Sequence, residues 1–509
     1  MANRPSSRRK EKYRRIEAWR SADDALFQKT GLPREALIRL ESELVGKIVL
    51  PGSPEYNQDR QESNPAFQAY PQIIVYCAVE SDIAWCLSFA KENNLWVCVR
   101  SGGHSTAGFS VNDGMLIDVS ELSSVAVDTV NQTATVGAGT DFDTLNGALN
   151  TTGLHVPSGA CGDVCVGGFV QGGGYGYTSR CFGMQCDSVL AFRVMLANGG
   201  IVVANSTTNS DLYWAMRGGT GGNFGILLSV TYQLYAVPTV WAYSIQWNIG
   251  DAPAALLEMQ TNYMRTGAPP QLGAMINLGF NTTTTPPTPV LLMQGMYVGT
   301  AAAGKQALSS LLSLGSAVLN VDISGPYGSM DLYLDTHPYT IPNPPDGSSE
   351  AKRAGYISNP LTLQDWKAIV QYELTAPNPN DTLIIEPYGG AINQVPKAAT
   401  AFVHRDVAMD MFVDVFWLQE TDKAREVAWL NGFMNLLAPF MTGKVYQNYP
   451  YRDLEMFGDA YWGDAYGFLM QVKAKYDPTN FFRFKQSLSG DCVTPAPGQI
   501  VYAVPPPPA

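Results

Sequence analysis

The chain has 509 residues, 46% of them hydrophobic and 11% aromatic, so it can bury a large core in two domains or in one interrupted domain. Lys and Arg number 33 against 45 Asp and Glu, a net charge of −12 that disfavours nucleic acid and anionic membranes as partners. No apolar run is long enough to span a membrane and no signal-peptide pattern follows the basic N-terminus, so we expect a cytoplasmic protein.

The cysteine pattern argues against a disulfide-rich protein and a metal site, and the N-terminal residues argue against a partner-binding arm. Eight cysteines are too few and too scattered for a disulfide framework at this length. Cys161 and Cys165 are four residues apart, but no histidine-rich segment follows them, so no metal site is predicted. Residues 1–50 are predicted to be a helical extension. Residues 1–20 are strongly basic, which favours a solvated end followed by an amphipathic helix over an arm that binds a partner.

The elements predicted between residues 51 and 236 are short and are separated by glycine-rich loops. Apolar residues at helical spacing predict a helix over residues 81–94, and a strand follows over 95–99. Thr140 is expected to cap a helix over residues 141–149. Further strands are predicted at residues 115–119, 125–129, 133–136, 189–196, 201–204 and 226–234.

From about residue 237 the glycine-rich loops stop and longer segments of alternating polarity begin. Strands are predicted at residues 241–247, 289–297 and 408–417, and helices at 301–314, 362–373 and 421–436. The predicted class is α+β. One domain is formed by residues 51–236 and 445–490, and a domain built on an antiparallel sheet, residues 237–444, is inserted before its second part. Residues 491–509 are predicted to be an extended, proline-rich tail.

The segment from Val99 to Gly108, VRSGGHSTAG, follows the strand predicted over residues 95–99. Adjacent glycines let consecutive backbone N–H groups converge on an anion, Arg100 adds a positive charge, and His104 adds a nucleophilic imidazole. The segment predicts a phosphate-binding loop, although a glycine-rich turn with a hydrogen-bonded histidine is equally compatible with it. The candidate binding residues are Arg100, Ser101, Gly102, Gly103, His104 and Ser105.

Two more glycine-rich segments follow, SGACGDVCVGGFVQGGGYG over residues 158–176 and RGGTGGNFG over residues 217–225. This glycine density does not suit an ordinary helix or strand, whereas a backbone pressed against a flat ligand or a pyrophosphate accommodates it. Tyr177 stands where the last glycine of a GxGxxG pattern would be, which disfavours a Rossmann nucleotide site. The candidate binding residues are Gly168, Gly172, Gly173, Gly174, Gly176, Gly221, Gly222, Asn223, Phe224 and Gly225.

The order of these motifs resembles that of the vanillyl-alcohol-oxidase/p-cresol-methylhydroxylase (PCMH) flavoprotein superfamily, and more closely that of its berberine-bridge-enzyme-like branch. That branch has R-S-G-G-H-S, then G-x-C-x-x-V-x-x-G-G and G-G-G-x-G, then R-G-G-x-G-G-N-F-G. It closes with Y-x-N-Y and D-P-x-N-x-F-R, which correspond here to residues 446–449 and 477–483. The resemblance covers roughly residues 65–490 and implies a two-part FAD-binding domain of the PCMH type.

The resemblance implies that FAD is attached covalently. His104 would bond to the 8α-methyl group of the isoalloxazine ring and Cys161 to its C6 atom, since such bonds need an imidazole nitrogen and a thiolate. A buried structural thiol is the alternative for Cys161. Cys165 departs from the family, which has glycine at this position. Val164 matches the family's oxygen-access position, where valine is associated with oxidases and a bulkier residue with dehydrogenases; simple packing of the loop is the alternative.

The resemblance also implies a base that takes the proton of a substrate hydroxyl while hydride leaves the carbon. Tyr449, the second tyrosine of Y-x-N-Y, matches this base, and Tyr446 and Asn448 belong to the same motif. An ordinary phenol has a pKa of about 10, so Tyr449 needs a hydrogen-bonding or positive neighbour to act near neutral pH. Asp410 and Tyr388 are further candidates, although acids on an exposed strand face are usually solvated.

Three functional hypotheses follow. The first is an oxidase of alcohol or hemiacetal carbons, acting on a sugar or on a glycosylated or polyketide-type metabolite, with O2 as the electron acceptor and H2O2 as a product. The second is an oxidative cyclase of secondary metabolism or a flavin dehydrogenase that uses another acceptor. The third, non-enzymatic, hypothesis is a flavin-binding storage or allergen-like protein. The sequence predicts a small-molecule substrate but no oligomeric state.

Overall fold

The structure is a computed structural model that describes residues 4–488 apart from residue 266 and residues 338–343, with only the backbone described at residues 4–7. The predicted tail over residues 491–509 lies outside the described residues. The first nine elements are α1 (Arg4–Ser21), α2 (Asp24–Gln28), α3 (Arg34–Glu43), β1 (Lys47–Val49), α4 (Tyr56–Asp59), β2 (Ile73–Tyr76), α5 (Glu80–Glu92), β3 (Val97–Arg100) and β4 (Met115–Asp118).

The basic helix α1 is bound to the rest of the chain. The guanidinium of Arg15 lies 2.7 Å from Glu41 of α3, and the guanidinium of Arg8 lies 2.7 Å from Glu121. Lys12 donates to the carbonyl oxygens of Ser42 and Leu44 at 2.9 and 2.7 Å. Some of the basic side chains of this segment therefore hold α1 against α3 through an ion pair and hydrogen bonds. Strands β1, β2, β4 and β3, in that order, form a four-stranded sheet.

A second sheet follows in the chain. Its region contains β5 (Val125–Asp128), β6 (Thr133–Gly137), α6 (Phe142–Leu149), β7 (Leu154–His155), α7 (Val166–Gln171), α8 (Ser179–Phe182), a 3-10 turn (Gln185–Ser188), β8 (Val189–Met195), β9 (Ile201–Asn205), α9 (Ser210–Ala215), β10 (Ile226–Gln233) and β11 (Tyr235–Ala236). Strands β5, β6, β10, β8 and β9, in that order, form a five-stranded sheet, and β11 pairs with β7. The cap predicted for α6 is wrong by one residue: Asp141, rather than Thr140, accepts the hydrogen bond from the amide of Thr144.

The third sheet is the largest, and helices cover one of its faces. Its region contains β12 (Val240–Asn248), α10 (Ala252–Asn262), β13 (Leu272–Asn281), β14 (Thr288–Val298), α11 (Ala301–Ala307), α12 (Ser309–Leu312), β15 (Val318–Gly325), α13 (Tyr327–Thr336), β16 (Ser349–Ile357), α14 (Leu363–Glu373), β17 (Thr382–Pro387), α15 (Ala391–Gln394), β18 (Met409–Trp417), α16 (Lys423–Leu437) and a 3-10 turn (Ala438–Phe440). Seven antiparallel strands pair in the order β15-β12-β14-β13-β17-β18-β16. The helix predicted over residues 301–314 is divided into α11 and α12 at Leu308.

The two faces of the seven-stranded sheet differ in chemistry. On β18, Met409, Met411, Val413 and Val415 belong to the apolar core under the helices, whereas Asp410, Phe412 and Asp414 point to the opposite face. Residues of the glycine-rich loops and of the C-terminal part pack on this second face, Tyr175 on Tyr388 and Tyr449 on Phe412. Asp410 is 0% exposed and Asp414 is 5% exposed. The expectation that these acids are solvated is therefore wrong.

After the third sheet the chain returns to the first two through residues 441–488, here called the C-terminal segment. It contains α17 (Phe457–Trp462), a 3-10 turn (Gly463–Ala465) and α18 (Tyr466–Tyr476). Gln447 and Trp462 both donate to the carbonyl oxygen of Gly218, at 2.8 and 2.9 Å. The fold is a mixed α+β fold. No helix in the described part of the chain is long and apolar enough to cross a membrane.

Candidate active site

A cavity of about 510 Å³ lies where the glycine-rich loops meet the second face of the seven-stranded sheet. This volume is within the usual range for small-molecule sites, about 300–1,000 Å³. Residues from three regions that are distant in sequence form its walls. Of the residues predicted from the sequence, the walls include Ser101, Gly102, Gly103, His104, Ser105, Cys161, Val164, Gly168, Gly176, Gly221, Gly222, Gly225, Tyr446, Asn448 and Tyr449.

The loop after β3 presents His104 to this cavity. Gly103 has a φ of +75° and Gly108 a φ of +69°, a left-handed conformation that side chains other than glycine rarely adopt. The hydroxyl of Ser105 accepts the amide of Phe109 and holds the loop after the histidine. Nε2 of His104 lies 3.2 Å from Oδ2 of Asp163, and this hydrogen bond lowers the pKa of Asp163. The imidazole is thus held at the wall without being buried.

The two neighbouring thiols differ in access. Cys161 is exposed and lies on the cavity wall. Cys165 also reaches the wall but is buried, and its Sγ lies 3.4 Å from the carbonyl oxygen of Gly139, to which it donates. The same sulfur packs against the backbone of Gly102, where an added Cβ would lie 3.1 Å from it. Cys165 therefore has a packing role in the wall, and Cys161 is the more accessible thiol.

The glycines of the second motif have two different roles. A Cβ added to Gly168 would meet nothing within 4 Å, so Gly168 leaves space open in the cavity wall. Gly172, Gly173 and Gly174 are not among the residues that line the cavity, and side chains of the protein pack closely against them. A Cβ on Gly172 would overlap Asn448, one on Gly173 would lie 2.8 Å from Phe402, and one on Gly174 would lie 2.6 Å from Phe169.

Three other predicted binding residues also lie outside the cavity walls. Arg100 is 7% exposed, and its Nε lies 2.7 Å from Asp118, so its charge is paired with a carboxylate of the first sheet. Asn223 donates to the carbonyl oxygen of Gly219 and accepts the amide of Leu488, which ties the third glycine-rich motif to the C-terminal segment. Phe224 is 1% exposed and belongs to the apolar core. The observed contacts of these three side chains are all within the protein and shape the loops.

The opposite wall is provided by the seven-stranded sheet. Met275, Glu350, Lys352 and Glu386 line the cavity there. The hydroxyl of Tyr449 donates to Oε1 of Glu386 across 2.8 Å. Burial raises the pKa of Glu386 to about 7, although the hydrogen bond from Tyr449 and the charge of Lys352 act in the opposite direction. The candidate base thus has a partner that can accept its proton near neutral pH.

Lys352 is a buried cation beside this pair. Its Nζ lies 3.3 Å from Glu350 and 3.0 Å from Asp414. The same atom lies over the aromatic rings of Phe412 and Tyr449, at 4.4 and 4.9 Å from their centres. Burial acts to lower the pKa of Lys352, but the charges of Asp414 and Glu350 outweigh it and raise the pKa.

Tyr446 and Asn448 fix the end of the Y-x-N-Y motif. The hydroxyl of Tyr446 accepts the amide of Gly174 at 2.8 Å and the side-chain amide of Asn448 at 3.0 Å. Asn448 also donates to the carbonyl oxygen of Phe169 at 2.9 Å. Tyr446 therefore positions the loops, while Tyr449 is directed at the sheet.

Asp410 and Tyr388, the two further catalytic candidates, are not among the residues that line the cavity. Tyr388 is 0% exposed and stacks on Tyr175, with 5.1 Å between ring centres. Sequence reasoning missed Glu386, Glu350 and Lys352. Glu386 lies two residues before Tyr388 in the Glu-Pro-Tyr-Gly-Gly segment, and this proximity is the signal that could have identified it.

Comparison with known proteins identifies the family of this chain. Residues 71–205 match the model of an FAD binding domain, and residues 445–489 match that of the berberine and berberine-like family. An FAD-linked oxidoreductase of Bacillus subtilis, YgaK, is 30% identical over 461 residues, covering 88% of this chain and 98% of YgaK. The chain belongs to the berberine-bridge-enzyme-like FAD-linked oxidoreductases.

Solved structures share the berberine-bridge-enzyme-like fold. Wild-type BBE-like 1 from Physcomitrella patens aligns with a TM-score of 0.79 at 24% identity, covering 89% of this chain and 99% of that protein. A chitooligosaccharide oxidase aligns with a TM-score of 0.76 at 22% identity, covering 90% of this chain and 99% of the oxidase.

The cavity itself fits the FAD of this family. The backbone at Gly168 leaves space for a flat group, and Oε1 of Gln447, which is 4% exposed, has no hydrogen-bond partner within the described chain. No group of three or more His, Cys, Asp or Glu residues in that part of the chain could hold a metal ion.

Proposed function

We propose that this protein is an FAD-dependent oxidase that removes a hydride from an alcohol or hemiacetal carbon of a sugar or of a glycosylated or polyketide-type metabolite. The hydrogen bond between Tyr449 and Glu386 is the observation that carries the proposal, because it equips a base on the cavity wall with its own proton acceptor. Bound FAD would accept the hydride, and O2 would then take up the electron pair to give H2O2.

In the proposed reaction, Tyr449 takes the proton of the substrate hydroxyl. Burial, followed by the charge of Glu386, raises the pKa of Tyr449 well above that of an ordinary phenol, so a free phenolate is disfavoured. The proton of Tyr449 therefore passes to Oε1 of Glu386 as the substrate proton arrives. Both proton transfers occur along one line of hydrogen bonds, and no charge is left on the phenol.

We propose that His104 and Cys161 both bond covalently to FAD. The exposure of Cys161, the position of His104 on the same cavity wall and the contact between His104 and Asp163 support this. Two attachment points would hold the cofactor against the glycine-rich loops and leave the sheet side of the cavity free for a large substrate.

The oxidase assignment rests on Val164. Its side chain is partly buried on the wall between the two thiols, and its carbonyl oxygen accepts the amide of Phe142 at 3.1 Å. This hydrogen bond holds the backbone of Val164 to the start of α6. A valine occupies less of the cavity than a leucine, and the space favours access of O2.

A sugar substrate is supported by the polar wall and by one structural relative. Glu350, Lys352 and Glu386 offer hydrogen-bond donors and acceptors to hydroxyl groups, while Met275 and Tyr175 add apolar surface. Chitooligosaccharide oxidase has the same fold. An extended metabolite with one reactive hydroxyl would meet the same groups.

The test is to incubate the holoenzyme in air with a panel of mono- and oligosaccharides and with a panel of phenolic and polyketide-type alcohols, and to measure peroxide and product mass. Carbonyl formation with stoichiometric peroxide is expected. A ring-closed product would assign the protein to the oxidative cyclases, and oxidation only with an artificial electron acceptor would make it a dehydrogenase.

A further inference from the structure

Asp410 and Glu386 are direct partners on neighbouring strands. β17 and β18 pair antiparallel with Glu386 opposite Asp410, so both carboxyl groups extend from the same face of the sheet. Directly opposed side chains in such a pair have Cβ atoms about 4.5–5.5 Å apart. Glu386 is 2% exposed and Asp410 is 0% exposed, so water does not separate or screen the two groups.

Little in the surroundings of Asp410 would stabilise its ionised form. Neither of its carboxyl oxygens has a hydrogen-bond partner within the described chain, and one oxygen of Glu386 also has none. The nearby cation, Lys352, is held by Glu350 and Asp414. An ionised Asp410 would thus be a buried, unpaired charge beside a second carboxylate.

The other groups that face Asp410 do not change this conclusion. Tyr356 of β16 is the partner of Asp410 on the other side, and its hydroxyl lies 3.3 Å from that of Tyr388. Burial, followed by the charge of Glu386, raises the pKa of Asp410 well above that of an ordinary aspartate, and the smaller effects of Lys352 and of the Met411 amide act in the opposite direction.

We propose that Asp410 and Glu386 share one proton in the resting enzyme, with the proton on Asp410 and the negative charge on Glu386. The inference rests on the proposed function, in which Glu386 receives the proton of Tyr449. Asp410 is then a positioning residue: it keeps Glu386 the ionised member of the pair. The pair holds one proton before the substrate proton is taken and two afterwards, and it releases one before the next turnover.

Infrared difference spectroscopy of the oxidised, substrate-free holoenzyme at pH 9, where Glu386 with its pKa of about 7 is ionised, tests where this proton lies. Subtracting the Asp410→Asn spectrum from that of wild type should reveal the C=O stretch of a protonated carboxylic acid, which shifts in D2O. The matched control, Glu386→Gln, should retain this band. Bands of other buried carboxyls cancel in both differences. If the band disappears with Glu386→Gln and persists with Asp410→Asn, or if neither variant changes it, the proposal is wrong.

The pH dependence of flavin reduction supplies a second test. If Asp410 is neutral, Asp410→Asn should leave the acidic limb of the profile almost unmoved, because one neutral side chain replaces another beside Glu386. A downward shift of about one unit or more would mean that Asp410 is ionised and would overturn the proposal. Asp410→Val offers a neutral, strand-compatible replacement if the asparagine variant fails to fold.

The infrared measurement requires no turnover, so the shared proton and the proposed function can each be refuted without the other. A band lost in Asp410→Asn in an enzyme that oxidises no alcohol would leave the shared proton established and the proposed function refuted. If the enzyme oxidises an alcohol but shows no such band, the proposed function is supported and the shared proton is refuted.

Discussion

Tyr449 belongs to the C-terminal segment and Glu386 to β17 of the seven-stranded sheet, and a hydrogen bond of 2.8 Å joins them. The two residues are 63 positions apart in the chain. Because each lies on a different side of the cavity, the acid–base pair exists only when the C-terminal segment is packed against the sheet. Catalysis should therefore depend on this contact more than on either residue alone.

Replacement of Tyr449 by Phe should slow flavin reduction by substrate by about 100- to 10,000-fold, the usual contribution of a general base. The variant keeps the ring that packs on Phe412 and loses only the hydroxyl. Tyr446→Phe is the matched comparison and should cost less, because that hydroxyl accepts hydrogen bonds from the loops. Rapid-mixing absorbance measures the rate, with FAD content and Tm as controls. If substrate reduces the flavin of Tyr449→Phe at the wild-type rate, the base is a different residue.

The rate of flavin reduction should increase with pH through about 7. Burial raises the pKa of Glu386 to about 7, so below this pH the carboxyl holds a proton and cannot accept that of Tyr449. One essential base predicts about a tenfold loss of rate for each pH unit below this value. Glu386→Gln should be slow at every pH and show no such limb. A wild-type profile that is flat from acidic to neutral pH would contradict the role of Glu386.

Acid-denatured wild-type protein should stay yellow if FAD is bound through His104 and Cys161. His104→Ala and Cys161→Ser should each keep part of the flavin in the precipitate, and the double variant should release all of it. Cys165→Ser is the matched control, because its thiol donates to Gly139 in the wall, and it should keep both attachments. Complete release of FAD from the wild type would refute both bonds.

Replacement of Val164 by Leu should slow reoxidation of the reduced enzyme by O2. The larger side chain would occupy space at the wall between the two thiols. A tenfold decrease, which corresponds to about 1.4 kcal/mol of barrier, is the expected order of magnitude. Flavin reduction by substrate should change much less, and stopped-flow measurement separates the two half-reactions. Slow wild-type reoxidation that the variant leaves unaltered would favour a dehydrogenase.

The stability of the fold should depend strongly on the buried pair of Lys473 and Asp477. Lys473 Nζ lies 2.7 Å from Asp477 and also donates to the carbonyl oxygens of Asn223 and Phe482, at 2.7 and 2.6 Å. Lys473→Met would leave the buried carboxylate unpaired and should cost about 3–5 kcal/mol of unfolding free energy. Lys475→Met, which removes an exposed pair with Asp211, should cost less than about 1 kcal/mol.

Urea unfolding of the holoenzyme measures both changes. Equal effects of the two lysine substitutions would show that the buried pair contributes no more than the exposed one. They would also show that the network joining Asn223 to the C-terminal segment is dispensable.

The sequence by itself determined the local elements and the loops at the cavity. Gly103 and His104 were predicted from a glycine-rich segment whose conformation depends on residues a few positions away, and Cys161 and Tyr449 from motifs that resemble those of a known family; all four line the cavity. Helices α5, α14 and α16 were likewise predictable from helical spacing. Strands β13, β16 and β17 were not, because their residues are buried by contacts with distant elements and show no simple alternation.

Only the tertiary structure decided which polar groups line the cavity. Arg100 and Asn223 lie in motifs typical of a binding site, yet Asp118 and Leu488 take up their hydrogen bonds. Glu386 and Lys352 lie in unremarkable segments, and the pairing of β16, β17 and β18 places them beneath Tyr449. The physical reason is that the role of a charged or polar group depends on the partners and the burial that folding provides, and these partners of Glu386 and Asn223 are more than 60 residues away in the chain.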